Sequence, residues 1–188
     1  MPQFSPSTIF SDVYLITPKR FEDERGFFME SFRASWLENI APHQQIVQEN
    51  RSFSKAGVLR GLHYQLEQSQ GKLIQLLSGE IYDVLVDMRQ HSPTFGRWQG
   101  FHLKAESLQQ LWVPAGFAHG FYSLQDSEVL YRCTHYYHAE SERSLSWNDP
   151  QLEIAWPLLR DSNQQITAPL ISAKDQQAVY FSQADYFQ

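Results

Sequence analysis

Residues 72–87, Lys-Leu-Ile-Gln-Leu-Leu-Ser-Gly-Glu-Ile-Tyr-Asp-Val-Leu-Val-Asp, are two short apolar runs rich in Leu, Ile and Val with Ser78-Gly79-Glu80 between them. They read as strands 72–78 and 79–87, with Gly79 supplying positive φ at a hairpin. The same pattern extends outward in both directions. Candidate strands at 13–17, 26–32, 46–54 and 58–65 precede the pair, and others at 97–103, 110–113, 119–123, 127–134 and 145–147 follow it. Ser54-Lys55-Ala56-Gly57 reads as a second hairpin turn. Only 36–40 and 174–179 read as short helical turns. The fold class is therefore all-β, a jelly-roll sandwich or barrel with a few short helices. No repeat, low-complexity tract or linker divides the chain, so residues 1–188 are expected to form one domain.

Aromatic residues make up 14% of the chain and hydrophobic residues 42%, a composition that excludes disorder and can line a pocket as well as fill a core. The net charge is −6 and no Lys/Arg block occurs, so the footprint of a general nucleic-acid binder is missing. Cys133 is the only cysteine, which rules out an intramolecular disulfide and a cysteine zinc cluster and fits a reducing compartment. The first residues show no signal-peptide pattern and no apolar run approaches membrane-spanning length, so a cytoplasmic protein without membrane contact is expected.

Several stretches carry chemically useful side chains. In Val58-Leu59-Arg60-Gly61-Leu62-His63-Tyr64-Gln65, strict alternation turns Arg60 and His63 to opposite faces. A bulge at Gly61 would rotate both toward one cavity, whereas the plainer reading is a packed strand histidine. Pro114-Ala115-Gly116-Phe117-Ala118-His119 is half of the metal signature of cupin-type jelly rolls. The other half would need a His-x-His pair, and here the chain has His63-Tyr64-Gln65, so a metal is not expected. In Phe21-Glu22-Asp23-Glu24-Arg25-Gly26 an acidic turn ends in an arginine suited either to a phosphate or to a local ion pair with Asp23 or Glu24. Gln48 and Asn50 share a strand face. Ser172-Ala173-Lys174-Asp175 resembles a capping box, which gives Asp175 a structural explanation beside any functional one.

Six blocks in order, Phe-x-Asp-Glu-Arg-Gly-Phe-Phe-x-Glu from Phe21, Val-Leu-Arg-Gly-Leu-His-Tyr-Gln from Val58, Gly-Lys-Leu from Gly71, Ser-Pro-Thr-Phe-Gly from Ser92, Pro-x-Gly-Phe-Ala-His-Gly-Phe from Pro114 and Ser-Ala-Lys-Asp from Ser172, resemble the dTDP-4-dehydrorhamnose 3,5-epimerase family. The resemblance implies a cupin-like jelly roll that inverts C3 and C5 of dTDP-4-dehydro-6-deoxy-D-glucose to give dTDP-4-dehydro-L-rhamnose, with neither metal nor other cofactor. It implies His63 as general base, Asp175 as the carboxylate that orients it, Tyr131 as the acid on the opposite sugar face and Lys72 as the cation at the enolate oxygen. Phe21, Arg25, Glu30, Gln48, Asn50, Arg60, His119, Tyr136, Glu142 and Lys174 fall where the family holds nucleotide, phosphates or sugar. Arg25 and Glu30 are expected to reach a neighbouring subunit's site, in a homodimer with exchanged N-terminal strands. The rival readings are a 3-only or 5-only epimerase of a related dTDP-deoxysugar and a non-catalytic sugar-binding jelly roll.

Overall fold

The apolar character of residues 72–87 comes from two strands that each bury both faces. In the computed structural model, which describes all 188 residues, the chain forms β1 Gln3–Pro6, β2 Tyr14–Thr17, β3 Arg20–Asp23, β4 Gly26–Met29, β5 Gln48–Ser54, β6 Leu59–Gln65, β7 Lys72–Ser78, β8 Glu80–Asp87, β9 Trp98–Lys104, β10 Gln110–Val113, β11 Phe117–Ser123, β12 Ser127–Cys133 and β13 Glu142–Ser144. Six of these make one antiparallel sheet, β1-β2-β10-β7-β12-β5, and five make the facing one, β13-β6-β11-β8-β9. Ile74 and Leu76 of β7 meet Ile81 and Leu85 of β8 in the interlayer core, closed by Phe10 and Val13. On the outer faces, Leu73 packs beneath Trp36 and Leu37 of the short helix Ser35–Glu38, while Val84 and Val86 are covered by Leu152, Ile154 and Phe181. A strand covered on both sides reads as a continuous apolar run. No helix is long and apolar enough to cross a membrane.

Both turns expected to close hairpins instead carry the chain between sheets. Gly57 (φ +85°) leads from β5 to β6 and Gly79 (φ +81°) from β7 to β8, and neither pair of strands is hydrogen-bonded together. A positive-φ glycine reverses the chain locally, but the faces that must be buried decide which sheet receives the next strand. The strand expected at 145–147 lies at Glu142–Ser144, where it edges β6, and Leu145 bonds to Leu62 of β6 while also bridging Val179. Two strands had no periodic signal: edge strand β1, and β3, which with β4 forms a separate two-stranded hairpin.

The C-terminal segment lacks regular strands yet is pinned at three places, the last of them Phe187 against Met88 and Gln90. Leu170 exchanges backbone hydrogen bonds with Gly57 and Leu59 at 2.9 and 3.0 Å, and Val179 does so with Ser144 and Ser146 at 3.1 and 2.8 Å. Between these anchors the strap folds a 3-10 turn, Asp175–Gln177, against β6. That fixes Asp175 relative to the sheet.

Candidate active site

At one end of the sandwich the two sheets part to leave a cleft with a chamber of about 490 Å³ and a second of about 270 Å³, and His63, Lys72 and Tyr131 line both. The six-stranded sheet contributes Tyr131, aligned with Ile74 and Asn50, and Lys72, aligned with Cys133, which aligns in turn with Gln48. Side chains directly opposite one another share a face, and Ile74 identifies that face as the inner one. The five-stranded sheet contributes His63 and His119, which stand directly opposite each other on β6 and β11.

The bulge considered at Gly61 is present. The β6–β11 register shifts so that His63 pairs with His119 but Arg60 pairs with Phe121, and Phe121 belongs to the interlayer core. Arg60 and His63 therefore line the same chamber despite their odd spacing. Gly61 has φ +120°, and a Cβ there would lie 2.5 Å from the Gly120 Cα and 2.8 Å from the His119 carbonyl oxygen. Only glycine permits that approach.

His63 Nε2 lies 2.6 Å from Asp175 Oδ1. The Asp175 side chain is 3% exposed. Burial works to raise its pKa, but the His63 imidazole, the Ser172 hydroxyl and the Gly61 amide together hold the carboxyl below its ordinary value. A carboxylate can only accept, so Nε2 carries the hydrogen and Nδ1 of the neutral ring is left as the proton acceptor. The Ser172 hydroxyl also accepts from the Asp175 amide at 3.1 Å, so the expected cap and the contact with His63 occur together. Its backbone is capped while its carboxylate serves His63.

Tyr131 is pushed above the ordinary tyrosine range, chiefly by burial and then by Cys133, so at neutral pH it holds a proton to give. Lys72 is pushed the other way by burial, an effect that Cys133, Asp83 and Glu142 oppose. Lys72 forms no ion pair with any side chain, whereas Lys174 pairs with Glu142. Arg60 donates to the Ser54 hydroxyl at 2.8 Å and the Phe53 carbonyl at 3.1 Å.

In the smaller chamber, the Gln48 amide donates to Asn50 Oδ1 at 3.0 Å, and Glu142 accepts from Tyr137 Oη at 2.6 Å and from Lys174. Gln65, at the place of a second cupin imidazole, donates instead to the carbonyls of Gln68 and Tyr136. No group of three or more His, Cys, Asp and Glu side chains has metal-holding geometry. Tyr136 is exposed beside this chamber.

The remaining expected residues lie elsewhere in the subunit. Phe21 is exposed, Arg25 is 85% exposed and paired with Asp23 at 2.6 Å, and Glu30 is paired with Arg33 at 2.7 Å. None of these three lines the cleft. Sequence reading also passed over Tyr137 and Asp83. Tyr137 had no distinguishing signal among its neighbouring tyrosines. Asp83 did: it alternates with Ile81 and Leu85 and so is an acid on an apolar face.

The geometry can be set beside known proteins. Residues 7–183 match the family model described as dTDP-4-dehydrorhamnose 3,5-epimerase. The Pseudomonas aeruginosa enzyme of that name is 49% identical over 178 residues, covering 94% of each chain. The Neisseria gonorrhoeae protein of that name is 51% identical over 179 residues, 95% of this chain, which spans about half (52%) of that longer relative. Among solved structures, Legionella pneumophila dTDP-6-deoxy-D-glucose-3,5-epimerase in complex with dTDP-4-keto-L-rhamnose superposes with a TM-score of 0.89 at 46% identity, over 98% of this chain and 95% of that one. With a histidine–carboxylate pair, a buried lysine and a tyrosine gathered in one jelly-roll cleft, and with this match running almost end to end, the chain belongs to the dTDP-4-dehydrorhamnose 3,5-epimerase family and is an isomerase.

Proposed function

We propose that the cleft binds dTDP-4-dehydro-6-deoxy-D-glucose and inverts C3 and C5 to give dTDP-4-dehydro-L-rhamnose, with residues 1–188 acting as one catalytic domain. The observation that carries the assignment of roles is that His63 and Tyr131 enter one cleft from opposing sheets, with Lys72 beside both. The C4 ketone acidifies the hydrogens on both neighbouring carbons. His63 Nδ1 removes one, the electrons move onto the ketone oxygen, and Lys72 stabilises the enolate formed there. Tyr131 returns a proton from the other side, which inverts the carbon. Asp175 keeps the ring in the required tautomer and stabilises the imidazolium. His63 then loses the abstracted proton to solvent and Tyr131 regains one from it, and the steps repeat at the second carbon.

Arg60 and His119, with the polar residues Gln48, Asn50, Glu142 and Lys174, bind the sugar nucleotide around this centre, and Tyr136 adds an aromatic contact. Phe21, Arg25 and Glu30 act on a neighbouring subunit. The β3–β4 hairpin supports this homodimer: it pairs with no other strand of its own chain and exposes Phe21, Phe27 and Phe28, an arrangement that is unstable alone in water. The single unpaired Cys133 supports a cytoplasmic setting.

Proton NMR of the substrate in D2O, with a coupled reductase trapping product, tests the reading. Deuterium and inversion are expected at both C3 and C5. Exchange at one carbon alone would make the protein a mono-epimerase, and exchange at neither would leave only a binding module.

A further inference from the structure

One buried acid has no part in the scheme so far. Asp83 is 0% exposed and sits in the middle of β8, its Cα neighbours across the sheet being Phe121 and Phe101. Its Oδ2 accepts from His119 Nε2 at 2.8 Å, and its Oδ1 has no hydrogen-bond partner at all. A carboxylate held among phenylalanines with one oxygen unsatisfied is unfavourable for folding, and an apolar residue would serve the core better. Its retention calls for another role.

The groups around Lys72 indicate that role. Lys72 rises from the opposite sheet into the larger chamber, which it shares with His119, the partner of Asp83 at 2.8 Å, and the charges that act on it come from Asp83 on β8, Cys133 on β12 and Glu142 on β13. Glu142 is already shared by Lys174 and Tyr137, and burial keeps the Cys133 thiol protonated. Asp83 is the carboxylate that faces Lys72 without a lysine or arginine of its own.

We infer that Asp83 is a positioning residue for the epimerisation: one oxygen orients the His119 imidazole, and the other supplies the buried negative charge that Lys72 faces across the cleft. This rests on the reading of Lys72 as the cation at the enolate oxygen. Because Asp83 does not pair directly with the ammonium, Lys72 keeps its donors for the substrate while its charge is maintained. His119, bonded through Nε2–H, is left with Nδ1 as an acceptor toward the sugar.

Asp83→Asn tests this, since asparagine keeps the volume and an acceptor for His119 but removes the charge. The expected result is a fall in kcat of ~10–100-fold with KM within about threefold, and an alkaline limb of the kcat–pH profile displaced by at least about one unit to lower pH, because Lys72 gives up its proton sooner. A limb at the wild-type position, or kcat within about twofold, overturns the inference. Should the variant not fold, the Lys72 13Cε resonance of the wild-type protein, assigned by its loss in Lys72→Met, supplies the answer: a charged side chain at pH 7 supports Asp83 as its counter-charge, and a neutral one refutes it. Lys72→Met also separates the two levels of the argument. Wild-type turnover in that variant overturns the role of Lys72 itself, whereas a dead Lys72→Met beside an unaffected Asp83→Asn overturns Asp83 alone.

Discussion

Gly61→Ala perturbs the feature that assembles the site. The backbone φ of +120° is one that L side chains rarely adopt, which costs roughly 1–3 kcal/mol. The added Cβ also meets backbone, the Gly120 Cα at 2.5 Å and the His119 oxygen at 2.8 Å, and backbone in mid-sheet cannot swing aside as a side chain can. Overpacking of this kind adds roughly 1–3 kcal/mol. The total, about 2–6 kcal/mol, corresponds to a loss of roughly 4–24 °C in Tm for a chain of this size. Restoring ordinary contact separates β6 from β11 by about 1 Å at the pair His63/His119, and misplacement on that scale costs on the order of 100-fold in rate.

Gly57→Ala is the matched comparison. Its φ is +85° but the nearest atom to a new Cβ is the Tyr122 hydroxyl at 4.0 Å, so it bears the backbone strain without the collision. Calorimetry and turnover of the two variants side by side isolate the close approach. If Gly61→Ala melts with Gly57→Ala and turns over at the wild-type rate, the argument that the bulge builds the site is wrong.

His63→Ala is expected to lower turnover by at least ~100-fold while substrate affinity stays within about tenfold, as measured by steady-state kinetics and calorimetric titration. Tyr131→Phe is expected to retain solvent exchange at the substrate carbons in D2O but to form little inverted product; wild-type product yield would remove Tyr131 from the acid role. Asp87→Ala should destabilise by about 3 kcal/mol, since it strips two bonds of 2.8 Å from Arg89 and one of 2.6 Å from each of Ser92 and Thr94, and should leave kcat unchanged because Asp87 lies outside the cleft. Asp87, Glu142 and Asp175 all have carboxyls held below their ordinary values despite burial. Their folded pKa values lie beneath the unfolded ones, so the stability they contribute is complete above about pH 5 and is lost as pH falls through the folded values. Circular dichroism between pH 6 and 2 should show that acid-side loss. Phe28→Ser in the exposed hairpin should shift the proposed homodimer toward monomer in light scattering, and an unchanged mass would disconnect the hairpin from assembly.

How much of this was legible depended on whether the deciding forces were local. Strand limits at 72–78 and 110–113 fall where expected because apolar alternation and turn residues act within a few positions. The Gly61 bulge was legible as a possibility, since glycine inside a strand has few other reasons to be there. The destinations of the turns at Gly57 and Gly79 were not, because a hairpin and a crossing between sheets use the same residues and differ only in which distant face needs covering. Nor were β1 and the exact place of β13 evident: both are edge strands, and a strand bonded on one side needs little apolar patterning. Asp175 showed its cap in sequence, but its bond to a histidine 112 positions earlier comes from the strap that only the folded chain reveals. Asp83 is the converse case, a signal present in the alternation that a list of family motifs passes over.

The division of labour between the sheets bears on why one histidine can serve two carbons. The proposed base, His63, stands on the five-stranded sheet, while the proposed acid and cation, Tyr131 and Lys72, stand on the six-stranded one, and the interlayer core of Ile74, Leu85, Phe121 and Val129 sets their separation. A planar enolate lying between the sheets presents one side to His63 and the other to Tyr131 whichever of its two carbons is reacting. Nothing in that trio selects C3 over C5. Selection must come from how far the ring can turn about the Lys72 contact, and that is set by the walls of the larger chamber, where Val58, Leu170 and Ile171 provide apolar surface without directional bonds. An enclosure of that kind limits volume and leaves orientation free, which is what two successive proton transfers by one base require. Narrowing it with Ile171→Trp should therefore suppress exchange at one carbon in D2O while the other persists, and equal loss at both would place the selectivity in the trio after all.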